Sequence, residues 1–372
     1  MLFRSLVQSN VMTPLWQLAP GSRYYLANDD GHRGLAYHPS GNLVVVSRTP
    51  TNAVHILDGQ TGAHLRSLKM DAAIMSGGVL AVNLVACAGD GSIFVGNLTD
   101  NGATTPFKLY QWIDDSEDAL PALIWQGDPG LGIAGRWGDS MTVRGNGGDI
   151  QMLLGSRNGT IAALIRPPFG PESTIVLHTD AGAGSFGSSV AFGSGDSFWG
   201  KAVGAPLRLL DFDTALGTAT TRLSFPNVAN MAALGVDVVN PLLAGVFVEA
   251  PDNLRLYDIG GLPSAPVNVD TEFFSTDNAN ANNAAQVAFG PNVVYALDAN
   301  NGLVALTLNP ALLRPRLNFS RAGNILTLTW SGSVVLQSSA TVDGTYADVM
   351  GASSPQMIDV SASVKMFYRL RQ

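Results

Sequence analysis

The chain has 372 residues, with 21 Lys and Arg against 29 Asp and Glu for a formal net charge of −8. That balance supplies no basic stripe for a nucleic-acid backbone, so nucleic acid is not an expected partner. Charged residues make up only 13% and Gly counts 41, with no long heptad or amphipathic helical pattern, which suits a turn-rich all-β protein.

Residues 1–10 hold one Arg and a short apolar piece interrupted by Gln8, Ser9 and Asn10, which makes a poor secretory signal. Either a leader has been lost or the chain begins partway into a longer protein. No apolar run reaches the roughly 18 residues of a membrane helix, so no transmembrane segment is expected. Pro14-Leu15-Trp16-Gln17-Leu18 then reads as a solitary strand, followed by a polar loop through Asn28-Asp29-Asp30-Gly31.

Residues 33–69 read as four strands. Leu35-Ala36-Tyr37 is closed by His38-Pro39-Ser40-Gly41-Asn42, where Pro and Gly break a ladder and favour a turn. Leu43-Val44-Val45-Val46 is a β-branched strand, and Thr49-Pro50-Thr51-Asn52 turns the chain into Val54-His55-Ile56-Leu57-Asp58. After Gly59-Gln60-Thr61-Gly62 a fourth strand starts at His64, and the whole makes an antiparallel meander.

The pattern recurs. Its first strand, an apolar residue, a small one and another apolar one, returns as Val85-Ala86-Cys87, Met141-Thr142-Val143, Val190-Ala191-Phe192, Leu234-Gly235-Val236 and Val287-Ala288-Phe289. Successive copies lie about fifty residues apart, the period of propeller blades rather than of helical solenoids. The small middle residue has a reason, because innermost strands converge on the axis and bulky side chains there would collide. Cys87 sits at such a position; as the single cysteine it cannot form an internal disulfide and leaves the redox compartment open.

Blade two covers about residues 78–126, blade three 136–178, blade four 188–225 and blade five 231–274. Trp112 and Trp125 fall on strands and are expected to pack between blades rather than to stack on sugars. TDNANANN at residues 276–283 reads as a solvated loop. The sixth repeat has strands at Val287-Ala288-Phe289, residues 293–297 and residues 303–308, then meets Pro310 and Pro315, and lacks a fourth. The strand around Trp16 is expected to fill that place and seal the ring. The expected fold is therefore an all-β, six-bladed β-propeller over residues 12–312, plus a small C-terminal β-sandwich-like domain over residues 316–372.

Leu15-Trp16, Arg33-Gly34-Leu35-Ala36-Tyr37, Gly96-Asn97-Leu98, Leu109-Tyr110-Gln111-Trp112, Arg136-Trp137-Gly138-Asp139-Ser140 and Ala191-Phe192-Gly193-Ser194-Gly195-Asp196-Ser197-Phe198-Trp199 together resemble a propeller family of unknown function in secreted proteins of environmental bacteria. The tail, with Leu336-Gln337-Ser338-Ser339, Gly344-Thr345-Tyr346 and Phe367-Tyr368-Arg369-Leu370, is similar to a short β domain common at the C-terminus of exported proteins. The resemblance implies an extracellular, cell-surface or periplasmic location and a binding or scaffold role, and it brings no catalytic residues.

Motifs that invite chemistry mostly fail on context. Gly182-Ala183-Gly184-Ser185-Phe186-Gly187 matches a dinucleotide fingerprint, but a strand follows it where a helix is required. Residues 195–201 imitate a phosphate loop until Ala202 replaces the magnesium-binding hydroxyl. Ser140 and Ser197 follow Gly-Asp as in some esterases, yet no histidine and acid stand at matching positions. Asn278, Asn280 and Asn282 mimic a calcium loop that lacks its glycine and its glutamate. His32, His38, His55 and His64 fall in one repeat on different strands and turns, with His55 and His64 read as surface positions, so no zinc set is expected.

One constellation remains. Loops preceding innermost strands gather at one mouth of a propeller channel, where ligands usually bind. Here they carry Asp29, Asp30, His32, Arg33, Arg136, Asp139, Asp180, Asn227, Asn230 and Asp277. The oxygens would accept a sugar or a hard cation such as calcium, and Arg33 and Arg136 would read a carboxylate. The expected function is a non-enzymatic, monomeric exported module binding a glycan, peptide or partner protein. The alternative is a metal-dependent hydrolase or lactonase at the same mouth.

Overall fold

The computed structural model describes residues 11–309, 317–330, 334–361 and 365–371. The chain divides into one compact unit at Met12–Leu308 and a second built from the residues outside it. Residues 1–10 and the expected boundary between 312 and 316 lie outside the described residues.

The first unit is built of four-stranded antiparallel meanders. The N-terminal strand is β1 (Met12–Leu18). One sheet joins β2 (His32–Tyr37), β3 (Asn42–Ser47), β4 (Ala53–Asp58) and β5 (His64–Ser67), and the next joins β6 (Leu80–Cys87), β7 (Ile93–Leu98), β8 (Phe107–Trp112) and β9 (Ala122–Gly127). Two further meanders are β10 (Met141–Arg144), β11 (Gln151–Gly155), β12 (Ile161–Ile165), β13 (Thr174–Thr179) and β14 (Ser189–Phe192), β15 (Ser197–Lys201), β16 (Leu207–Asp213), β17 (Thr218–Phe225). They merge into one eight-stranded sheet, because β17 begins beside the end of β13 and pairs with it in parallel at His178↔Thr218 and Thr179↔Ala219. Sequence periodicity could not show this join, which is made between outer strands of neighbouring repeats. Then follow β18 (Met231–Asp237), β19 (Leu242–Phe247), β20 (Asn253–Asp258), β21 (Val267–Phe273), and β22 (Ala285–Gly290), β23 (Val293–Asp298), β24 (Gly302–Leu308). That last sheet takes β1 as its fourth strand, from Met12↔Leu308 to Leu18↔Leu303.

The first strands of successive meanders adjoin one another in cyclic order, β2 to β6, β10, β14, β18, β22 and back to β2. Each second strand lies between sheets and is buried along nearly its whole length, as in Leu43-Val44-Val45-Val46. The outermost strands alternate, as β5 and β17 do. The apolar core is accordingly divided into clusters between neighbouring sheets: Val44, Ile56, Tyr110 and Trp112 between the first two, and Leu35, Leu43, Tyr295 and Leu303 between the last and the first. Trp112 and Trp125 are both buried in these clusters. Close approach explains Gly235, where a Cβ would stand 2.9 Å from Val287 Cγ1 on the adjoining strand. Side chains bridge neighbouring innermost strands: Ser189 Oγ accepts from Leu234 N at 3.0 Å, and Gln286 Oε1 accepts from Leu35 N at 2.6 Å.

Lys201, which ends the phosphate-loop look-alike, closes a strand and is fully buried. Its Nζ donates to Ala205 O at 2.7 Å, to Ala229 O at 2.9 Å and to Ala202 O. Burial pulls its pKa down to about 8. Lys201→Met keeps the stem and strips three carbonyls of their donor, so it is expected to lower stability by about 2 kcal/mol in urea unfolding. An unchanged midpoint would show that water reaches those carbonyls.

In the second unit, β25 (Asn318–Ala322), β26 (Ile325–Thr329) and β27 (Val335–Ser339) are followed by β28 (Ala347–Asp348), β29 (Gln356–Asp359) and β30 (Phe367–Arg371). They form two three-stranded antiparallel sheets, ordered β25-β26-β29 and β28-β27-β30. Leu328 and Leu336 are the buried apolar side chains of its strands among the described residues.

Candidate functional site

The innermost strands enclose a cavity of about 330 Å³. Its waist is set by the small middle residues, Ala36, Ala86, Thr142, Ala191, Gly235 and Ala288, all of which line it. Cys87 lines it too, and burial pushes its thiol far above the ordinary range, so it sits there as a neutral group.

At the end where the innermost strands start, a second depression of about 20 Å³ is lined by Arg33, Asn83, Asp139, Arg157, Ser188 and Asn282. That volume holds about one water-sized group, such as a hydroxyl or one oxygen of a carboxylate. The side chains come from separate meanders, because each sits at or just before the start of an innermost strand or on a neighbouring turn.

Of the residues expected from sequence, Arg33 and Asp139 meet here. Arg33 Nη2 lies 3.4 Å from Asp30 Oδ2, and Asn282 donates to the same oxygen, so Asp30 holds the rim together. Asp139 is taken up by Arg136, whose Nε donates to Oδ2 at 2.6 Å and whose Nη2 donates to Oδ1 at 3.0 Å. Arg136 Nη1 also reaches Asp100 Oδ1 at 2.9 Å. The guanidinium expected to read a carboxylate is therefore already paired with two carboxylates of the chain itself, which take three of its five N–H donors and raise its pKa. Asp29 is exposed and caps its own turn, accepting from Gly31 N at 2.6 Å. Asp180 accepts from Thr221 N at 2.9 Å and does not line the depression.

His32 is fully buried, and neither ring nitrogen has a hydrogen-bond partner; the Asp298 backbone is nearby but outside bonding geometry. Burial lowers its pKa to about 4, so it is a neutral packing group rather than a surface ligand. Asp277 lies elsewhere, accepting from Asp252 N at 3.3 Å beside a buried carboxyl pair, Asp252 and Asp298. Asn301 Nδ2 donates to Asp252 Oδ2 at 3.0 Å and to Asp298 Oδ1 at 3.1 Å, and Asn280 Nδ2 donates to Asp298 Oδ2 at 3.2 Å. The stretch expected to be a solvated loop thus packs its Asn280 against these acids. Among the described residues no group of three or more His, Cys, Asp or Glu is placed to hold a metal ion.

Arg157 was not anticipated. It follows β11 on the turn Ser156-Arg157-Asn158-Gly159, which precedes no innermost strand but reaches the same mouth because β11 runs back toward it. Its Nη1 donates to Ser188 Oγ at 3.3 Å, and among the described residues it makes no ion pair. Arg48 lies nearby, donating to Asn83 Oδ1 at 3.1 Å and to the Asp30 carbonyl; burial, then the neighbouring Arg33, lowers its pKa to about 10.

No family model matches the chain, and no curated protein matches it either. Its structure is similar to that of a DUF4623 family protein from Bacteroides eggerthii, with a TM-score of 0.57 and 18% identity over 76% of this chain and 71% of that one. It is also similar to the PQQ-bound aldose sugar dehydrogenase of Streptomyces coelicolor, with a TM-score of 0.50 and 13% identity over 80% of this chain and 98% of that one. A chain in the crystal structure of the mitotic checkpoint complex matches with a TM-score of 0.50 and 12% identity over 83% and 98% of the two chains. At such identities the likeness shows the fold alone: an all-β, propeller-like architecture whose structural neighbours are β-propellers. No helix among the described residues is long and apolar enough to cross a membrane.

Proposed function

We propose that the chain is an exported, non-enzymatic binding module: a six-bladed β-propeller closed by its N-terminal strand, with a small C-terminal β domain as spacer or attachment module. Its ligand site is the channel mouth at Arg33, Asn83, Arg157, Ser188 and Asn282, and its ligand is a glycan or peptide that presents a carboxylate there. The single observation carrying this reading is Arg157. A guanidinium at the rim of a channel, held by one serine hydroxyl and sharing the depression with amide groups and with Asp139, whose two oxygens Arg136 engages, retains donors for a planar bidentate acceptor. The hydrolase reading draws no support from the same geometry, since both Asp139 oxygens are engaged by Arg136 and Asp29 caps a turn.

The test is a binding screen of carboxylate-bearing saccharides and peptides beside their amide or methyl-ester counterparts. Hits are expected to require the free carboxylate and to weaken at least tenfold in Arg157→Met, with an unchanged melting temperature. Equal binding of acid and ester, or of parent and variant, would remove this mouth from the reading.

A further inference from the structure

The outer edge of the first sheet carries a second cluster that has no connection with the channel. His55 on β4 lies across from Ser67 on β5, and the register shift between Ile56 and Leu57 sets His64 across from Leu57. In a regular strand, residues 64 and 67 would face opposite ways; the extra residue, Leu65, turns His64 onto the face that carries Ser67 and His55. Three ligand-type atoms then converge. His55 Nδ1 stands 3.3 Å from His64 Nε2 and 2.9 Å from Ser67 Oγ, and Ser67 Oγ stands 3.4 Å from His64 Nε2.

The geometry points to a divalent transition-metal site, of the kind that takes Zn²⁺, with His55 Nδ1 and His64 Nε2 as ligands, Ser67 Oγ at the third corner and solvent at the fourth. Two nitrogens each about 2.0–2.1 Å from a tetrahedral zinc are about 3.3 Å apart, so the imidazoles already have the spacing a shared ion requires. His55 is held in place: its ring is buried and stacks on Tyr25 at 4.0 Å and 19°, while Tyr24 meets both histidines edge-on. Ser67 is exposed and His64 half-buried, so water has access to the remaining position.

The surroundings also set the strength. His55 Nε2 has no hydrogen-bond partner, so the usual outer support of a ligating imidazole is lacking, and Arg23 stands close enough to His64 to oppose added positive charge. Affinity is therefore expected in the micromolar range rather than that of closed structural zinc sites.

The experiment is calorimetric titration of the whole protein with Zn²⁺ at neutral pH, with Co²⁺ absorption as the coordination readout. One Zn²⁺ per chain is expected, bound at least tenfold more weakly by His64→Gln, whose imidazole is partly exposed and whose loss leaves the core intact. Ser67→Asp adds a charged ligand at the third corner and is expected to tighten binding at least tenfold, a gain that misfolding cannot imitate. Absence of Zn²⁺ binding below millimolar concentration, or the same affinity in parent and both variants, would show that the three groups only hydrogen-bond to one another.

Discussion

Excising Met12–Leu18 is expected to abolish cooperative folding of the first unit. This strand supplies six paired positions to β24, buries Met12 and Leu18, and sends Trp16 Nε1 to Gly59 O at 2.9 Å in the neighbouring meander. The Trp16 ring also packs over Gly62, where a Cβ would stand 2.9 Å from it, and lies 6.1 Å from Tyr295. Two buried aliphatic side chains contribute about 2–3 kcal/mol each, and an indole and six residues of ladder add to that. The sum approaches the whole stability of an ordinary domain, about 5–15 kcal/mol. The excised protein would also expose the β24 backbone as a hydrophobic edge, so soluble oligomers or aggregates are expected by light scattering. A synthetic peptide of residues 11–20 should restore monomeric protein. A monomer that melts with the parent's cooperativity and temperature would show that the ring does not depend on this strand.

Stability is expected to fall as pH rises from about 4 to about 8, through the acid pair formed by Asp252, just before β20, and Asp298, at the end of β23. Asp252 is 3% exposed and Asp298 0%. Burial first, then the Asp298 charge and hydrogen bond, pushes the Asp252 pKa from 3.8 up to about 8, and burial raises Asp298 as well. The pair titrates as a unit and holds a proton that the unfolded chain has already released near pH 4. Between those limits the folded state binds more protons than the unfolded one, so each pH unit costs up to about 1.4 kcal/mol, and the window as a whole roughly 3–5 kcal/mol. Asp252→Asn gives Asp298 a permanent N–H donor and keeps an oxygen for Glu249 N, which donates at 2.7 Å in the parent; it gives up the bond from Asn301 Nδ2, which retains Asn278 O and Asp298 Oδ1 as acceptors. Urea unfolding of both proteins from pH 4 to 8.5 checks this: the curves should diverge with pH, the variant being the more stable near pH 8. Parallel curves would mean that both carboxyls are ionised in the folded state.

His55 and Asn280 show where reading the chain by itself falls short. His55 is a polar residue at a strand position that reads as outward-facing, and Asn280 stands in a run of asparagines that looks solvated. His55 is buried because Tyr25, thirty residues earlier, stacks on it, and Asn280 because Asp298 requires a donor. The same holds at the channel mouth. Arg136 and Arg157 are equivalent as letters; only the placement of Asp100 and Asp139 around one and of Ser188 beside the other separates a guanidinium paired with two carboxylates from one held by a single hydroxyl.

What the order of residues determined by itself was the local architecture. Apolar runs of strand length, broken by Gly, Pro, Asn and Asp turns, dictate meanders, and the small residue recurring at each first strand marks the side that must crowd together. Those are nearest-neighbour effects, and each is written within a few residues. Which strand completes the last sheet in atomic register, how the third and fourth meanders fuse through β13 and β17, and which charges cancel are decided between residues tens to hundreds of positions apart. Only the folded chain sets those distances, and hydrogen bonds and ion pairs are gained or lost within about an ångström.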